Sequence, residues 1–199
     1  SNGFLISPDI IKLFKEMKLQ HIQITLDGLK ETHNKIKFTK NENDTFSRTI
    51  KNIDLLASSA PEIRISIRVN MNKENSSEFI TLYSFILQRY KSNPLIGIYP
   101  AFITSTSSKS SSSCSLLFNR QEKSEFIQQL YYDRGIVTNL CGYPDSSFTE
   151  CSIRNKHTFT IDPEGYLYKC WEIIGDQKYA IAKLDSEGTI QSIDQKILN

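Results

Sequence analysis

Apolar and polar positions follow two periods along the chain. Ile10, Ile11, Leu13, Phe14 and Met17 recur at helical spacing. Ahead of them Ser7-Pro8-Asp9 is a helix start, with a capping hydroxyl, a proline at the first helical position and an acid near the positive dipole end. In "HIQITLDG" the period changes to two: Ile22, Ile24 and Leu26 alternate with His21, Gln23, Thr25 and Asp27, and glycine closes the run. A polar loop over 29–43 leads to a helix with the apolar stripe Phe46, Ile50, Ile53 and Leu56. After Pro61 a second alternating strand, "EIRISIRVN", sets Ile63, Ile65, Ile67 and Val69 on one face and Arg64, Ser66, Arg68 and Asn70 on the other. Asn75-x-x-Glu78 reads as a capping box for a long helix carrying Phe79, Tyr83, Ile86, Leu87 and Tyr90. "LIGIYPAFI" is the third predicted strand.

Helices and strands thus alternate, with connections long enough for parallel crossovers, so the predicted class is α/β. Strands covered on both sides are usually continuous apolar runs, whereas these have one apolar and one strongly polar face. If helices cover the apolar face, the polar face must line a wet lumen or a ligand cleft. The alternative is an antiparallel sheet with one solvated face.

Beyond the third strand, "TSTSSKSSSSCS" (104–115) is a serine-rich low-complexity loop holding Cys114, read as a free thiol. "FNRQEKSEFIQQLY" returns to helix from Asn119. From about Leu140 the composition shifts to turns and hairpins, with three of the four cysteines and the single tryptophan, Trp171. The expected boundary divides 1–138 from 139–199. The 199 residues, 39% hydrophobic and 23% charged, can bury a large core. A net charge of +2 with scattered Lys and Arg argues against a nucleic-acid partner. No apolar run is long enough for a membrane span, and no signal peptide is visible, so the expected compartment is the reducing cytoplasm. There, grouped cysteines are metal ligands more often than disulfides.

The candidate chemistry lies in "CSIRNKHTFTIDPEGYLYKC" (151–170), a hairpin whose turn, Asp162-Pro163-Glu164-Gly165, has the type I signature. Cys151 and Cys170 stand at its feet, spaced C-x13-G-x4-C, with Cys141 ten residues upstream. Spacing alone admits a Cys151–Cys170 disulfide, a zinc site of Cys141, Cys151, Cys170 and His157, or an iron–sulfur cluster.

This hairpin, followed by "WEIIGDQKYAIAKL", resembles the opening of a SPASM domain, the auxiliary-cluster extension of radical S-adenosylmethionine (radical SAM) enzymes. "SNGFLIS" is similar to the T-N-G segment ending a strand of the radical SAM barrel, and "ITLDGLKETHNKIK" to its I-S-L-D-G-x4-H-D-x2-R segment. "IRVNMNKEN" resembles the next strand. The resemblance runs from Asn2 to about Leu184 and implies a partial (β/α)6 TIM-like barrel fragment followed by a small SPASM domain. It implies S-adenosylmethionine and 4Fe–4S clusters as cofactors. Thr25 and Lys37 would hold the amino-acid end of S-adenosylmethionine, with Asn2, Gly3 and Asn70 beside it, and Cys141, Cys151 and Cys170 would ligate the first auxiliary cluster. Lys37 stands where the family has Arg, keeping the charge but losing the planar fork.

Neither the C-x3-C-x2-C motif of the catalytic cluster nor the second SPASM cysteine block is present, which the resemblance accounts for as an internal fragment, inactive alone. The intact enzyme is expected to modify a peptide or protein by 5′-deoxyadenosyl-radical hydrogen abstraction, with flavodoxin or ferredoxin as electron donor. In sulfatase-maturing members a catalytic Asp follows the second hairpin cysteine. Here Trp171 follows Cys170 and Glu172 comes next, which favours maturation of a ribosomal peptide over sulfatase activation. Asp27 and Glu172 are the candidate catalytic residues. The rival reading is a zinc-stabilised α/β interaction module without redox activity.

Overall fold

A computed structural model describes residues 1–40, 43–104, 114–137, 152–154 and 158–192. The chain divides into two compact units, Ser1–Tyr143 and Pro144–Asn199.

The first unit is built on three parallel strands in the order β1 (His21–Leu26), β2 (Arg64–Met71), β3 (Ile96–Phe102). The register sets Ile24 beside Ile67, and Ile67 beside Ile98. Among the described residues, five α-helices accompany the strands: α1 (Pro8–Glu16), α2 (Lys30–Ile36), α3 (Thr45–Ser59), α4 (Phe79–Arg89) and α5 (Arg120–Arg134). The apolar residues of β1 and β2 form one buried cluster with Ile11, Ile50, Ile53, Leu56, Leu82 and Ile86. Burial alternates along both strands, as their period of two requires. The sheet is therefore parallel yet covered on its apolar face, which leaves the polar face to be explained by something other than a core. Beside β3, Phe102, Phe118 and Phe126 meet edge to face and extend the apolar cluster towards α5.

Local signals set several helix ends. The Ser7 hydroxyl accepts from Ile10 N at 3.3 Å and opens α1. Asn119 and Glu122 make a reciprocal capping box at α5, and Gly135 ends it in the left-handed region. Two sequence readings need correction. The polar stretch 29–43 contains α2, and the proposed capping box at Asn75 does not form. Asn75 and Glu78 instead bond to residues far back in the chain, as described below.

The second unit holds an antiparallel sheet, β4 (Thr160–Ile161), β5 (Tyr166–Tyr168), β6 (Ala182–Leu184) and β7 (Ile190–Ser192). The hairpin turn closes through Gly165 N to Asp162 O at 3.0 Å, with Gly165 at φ +85°. Asp162 Oδ1 also accepts from Glu164 N and Tyr166 N, so the first turn residue ties down the whole reversal. Leu167, Ile181 and Ala182 form its small buried cluster, with Phe159 and Leu184 against them. Trp171, which its size suggests as a core residue, is 66% exposed. No helix among the described residues is long and apolar enough to cross a membrane.

Candidate functional site at the carboxy end of the parallel strands

Parallel sheets gather ligands beyond the carboxyl ends of their strands, where loops rather than strands supply side chains. At that end of β1 the chain turns through Asp27 and Gly28. Asp27 is 4% exposed. Its Oδ2 lies 3.0 Å from Lys37 Nζ, and the same ammonium reaches Thr25 O at 3.4 Å. Among the described residues, Asp27 Oδ1 has no hydrogen-bond partner although it is buried.

Three groups hold this turn. Asp27 N donates to His33 Nδ1 at 3.1 Å, which fixes the His33 proton on Nε2 and the ring as neutral. Burial, reinforced by the Lys37 charge against a smaller opposing effect of Asp27, pushes His33 down to about 4. Asn75 Nδ2 donates to Asp27 O at 2.8 Å and to Asn70 O at 3.0 Å, stitching the ends of β1 and β2 together. Glu78 accepts from Leu29 N at 2.7 Å and from Thr32 Oγ1 at 2.6 Å, so it caps α2 from across the unit. A Cβ on Gly28, at φ +137°, would sit 2.6 Å from Glu78 Oε2, and only glycine admits that approach.

Lys37 is placed by the far end of α2, where Thr45 Oγ1 donates to Lys37 O and to Asn34 Oδ1, joining α2 to the start of α3. The first residues of the chain run along β1. Thr25 N donates to Ser1 O at 3.1 Å, and a Cβ on Gly3 would lie 2.8 Å from Ile24 Cγ2. Asn52 on α3 clamps Gly3 O and Phe4 O at 2.8 and 2.9 Å. Asn2, His33, Lys37, Phe38, Thr45 and Thr49 are among the residues lining a cavity of about 310 Å³.

The polar sheet face is cross-linked. His21 Nε2 and Ser66 Oγ are 2.8 Å apart, Tyr99 OH donates to Gln23 Oε1 at 2.6 Å, and Arg68 Nε donates to Asn70 Oδ1 at 2.9 Å. A larger cavity, about 580 Å³, lies at the other end of the strands around Asp54, Arg89, Tyr90 and Pro94. Its charges already satisfy one another: Arg89 makes a two-point contact with Asp54, and Tyr90 OH donates to the same carboxylate at 2.8 Å. The smaller cavity is therefore the better site, because it adjoins a cation and a half-used carboxylate.

Thr25, Asp27, Lys37, Asn2 and Gly3 thus lie around one strand end, and Asn70 joins them through Asn75. The neutral His33, Asn75 and Glu78 were not legible as site residues. His33 sits in the I-T-L-D-G-x4-H stretch, while Asn75 and Glu78 gave only the signal of a helix cap. In the second unit Cys170 is a half-buried free thiol, and Glu172 is exposed. Cys141, Cys151 and His157 lie outside the described residues. Among the described residues no group of three or more His, Cys, Asp or Glu could hold a metal ion.

Comparison with known proteins finds partial similarity in sequence and a shared fold. The chain is 32% identical over 85 residues to the cysteine-type anaerobic sulfatase-maturating enzyme of Clostridium novyi, covering 43% of this chain and 22% of that protein. It is 27% identical over 86 residues to the Fe-coproporphyrin III synthase of Methanosarcina barkeri, covering 43% of this chain and 20% of that protein. The structure of native anSMEcpe with bound AdoMet matches the whole chain at a TM-score of 0.61 and 18% identity, over 55% of that chain. The same protein with bound AdoMet and Cp18Cys peptide matches at 0.62 and 18% identity, again over the whole of this chain and 55% of that one. No protein-family model matches the chain. The chain spans about half the length of anSMEcpe and about a fifth of the curated relatives. It shares the mixed α/β fold of anSMEcpe and resembles, over part of its sequence, a sulfatase-maturating enzyme and a Fe-coproporphyrin III synthase.

Proposed function

We propose that this chain is part of a radical SAM enzyme of the SPASM type that modifies a peptide or protein. Residues 1–138 would be the later part of a partial (β/α)6 barrel and 139–199 the start of the auxiliary-cluster domain. The observation that carries the reading is the pair of buried Asp27 and half-buried Lys37 at the end of β1, beside Thr25 and the Asn2-lined cavity. A cation next to a half-satisfied carboxylate suits a ligand with both an anionic and a cationic end, and S-adenosylmethionine has both at its amino-acid end.

Lys37 would take the ligand carboxylate, with the Thr25 hydroxyl beside it, while Asn2 and Gly3 border the same space and Asn70 lies at the end of β2. The sheet's polar face would line the lumen. Cys170, with Cys141 and Cys151, would ligate a 4Fe–4S cluster. When bound, S-adenosylmethionine and a reduced catalytic cluster supply a 5′-deoxyadenosyl radical that removes hydrogen from substrate, with an electron drawn from a donor such as flavodoxin or ferredoxin. Asp27 is held by Lys37 in this fold, and Glu172 stands open to solvent two residues from Cys170. Peptide complexes of anSMEcpe, one of them with Kp18Cys peptide, support a peptide substrate. A ribosomal peptide is favoured over a sulfatase because Trp171 and Glu172 follow Cys170.

The test is anaerobic reconstitution of the chain with iron and sulfide, followed by metal analysis. Iron with matching sulfide, lost in Cys170→Ser, is the expected result. Zinc retained in air with no iron uptake would overturn the reading in favour of a structural zinc module.

A further inference from the structure

The polar face of the parallel sheet carries cations and no carboxylate. Neither Asp nor Glu occurs anywhere in β1, β2 or β3, while β2 places Arg64 and Arg68 on that face. Arg64 stands exposed at the start of its strand. Arg68 lies further in and is half-buried, with Thr25 and Tyr99 opposite it in the two neighbouring strands. Its Nε donates to Asn70 Oδ1 at 2.9 Å, and among the described residues no hydrogen bond or ion pair engages either terminal nitrogen. The acid that follows β1, Asp27, is committed to Lys37. A half-buried guanidinium gives up part of its hydration, and an anion is the partner that best restores it.

The setting selects the kind of anion. Tyr99 OH donates to Gln23 Oε1 at 2.6 Å, and Gln23 pairs with Ser66, so this bridge crosses β2 one face position before Arg68. Asn70 holds Nε from the next face position. Neutral groups thus bracket Arg68 along the strand and leave its terminal nitrogens as a planar pair of donors. Such a pair matches the two oxygens of one carboxylate, which an ammonium cannot do. A nucleic-acid backbone would need several cations together.

We propose that Arg68 receives a carboxylate of the peptide substrate, an assignment that rests on the function proposed above and adds the substrate's charge to it. In that function Lys37 serves the cofactor, so the carboxylate at Arg68 belongs to the second ligand of the lumen. An acidic side chain near the modified residue and a free C-terminus share this chemistry. Arg68 is then a binding residue that decides which peptides are held, and it takes no part in hydrogen removal.

NMR titration of the full chain, read at the backbone amides from Ser66 to Asn70, tests the assignment with three probe peptides. The first is Gly-Ala-Glu-Ala-Gly blocked at both ends, the second its Gln counterpart blocked likewise, and the third that Gln peptide with its C-terminal carboxylate free. The wild-type chain is expected to bind a carboxylate-bearing peptide about tenfold or more tighter than the neutral one, as a charge-assisted hydrogen bond implies. Preference for the first peptide identifies an acidic side chain as the source, and preference for the third identifies the C-terminus. Arg68→Gln is expected to lose the preference and to keep the affinity for the neutral peptide. Wild-type chain that binds all three equally, or none, would overturn the assignment without recourse to a variant. So would a preference that survives in Arg68→Gln. The two readings fail separately: absence of iron uptake removes the proposed enzyme and leaves the carboxylate preference to be seen, whereas equal binding by a chain that takes up iron removes this assignment alone.

Discussion

The two units hold themselves together by different means. The first buries more than twenty apolar side chains in one cluster, with Ile24, Leu26, Ile53, Leu56, Ile65 and Ile67 fully enclosed. Among the described residues of the second, the cluster is Leu167, Ile181 and Ala182. Units with so thin a core are commonly stapled by a metal or disulfides. The cysteines concentrate where the apolar core is thinnest. Burial stabilises the first unit, and a metal centre would do so for the second.

The largest expected effect separates the units through that centre. If a cluster staples the second unit, removing iron with a chelator abolishes amide-exchange protection over β5 and β6 and leaves β1 and β2 protected. Equal protection with and without metal in β5 and β6 would break the comparison.

The reverse experiment targets the first unit. Ile67→Ala empties a fully buried position in the central strand, and a cost of about 2–5 kcal/mol is expected in denaturant unfolding. The loss should appear as reduced protection in β1 and β3 with β5 and β6 unchanged. A cost shared by both units would show them to be one cooperative body.

The smallest effect depends on pH. Folded His33 stays neutral down to about 4, while in the unfolded chain it takes a proton near its ordinary value of 6.5. Between those values the unfolded chain binds the extra proton, so stability is full above the window and falls as pH drops through it. Going from about pH 7 to about pH 5 should remove about 2 kcal/mol from the first unit, measured by urea unfolding. His33→Gln should flatten that dependence. A wild-type chain equally stable at both values would show that the ring is not buried neutral beside Lys37 and Asp27.

Much of the fold was legible because its signals are local. The alternation of Ile22, Ile24 and Leu26 and of Ile63, Ile65, Ile67 and Val69 gave both strands and the polar face between them. The Ser7 and Asn119 caps and the Asp162 turn formed as their short spacings require. The helix α2 was hidden because its stretch, Lys30–Ile36, has almost no apolar stripe, and its first turn is capped by Glu78, 49 residues beyond Leu29. Asn75 misled for the same reason. It carries the sequence of a cap, yet its amide is taken by the carbonyls of Asp27, just past β1, and of Asn70 in β2. Trp171 misled through size alone, since a large ring says what could be buried and not what is.

What the sequence supplied by itself was each element's period, the turn and cap chemistry, and a set of candidates: Thr25 and Lys37 for binding, Asp27 for catalysis and the cysteines for a metal. Only the tertiary structure decided that Lys37 meets Asp27, that one oxygen of that carboxylate has no partner among the described residues, and that His33 is neutral. The physical reason is range. Periods and caps act over a few residues, whereas a buried charge takes its partners from whatever the strand register brings alongside it.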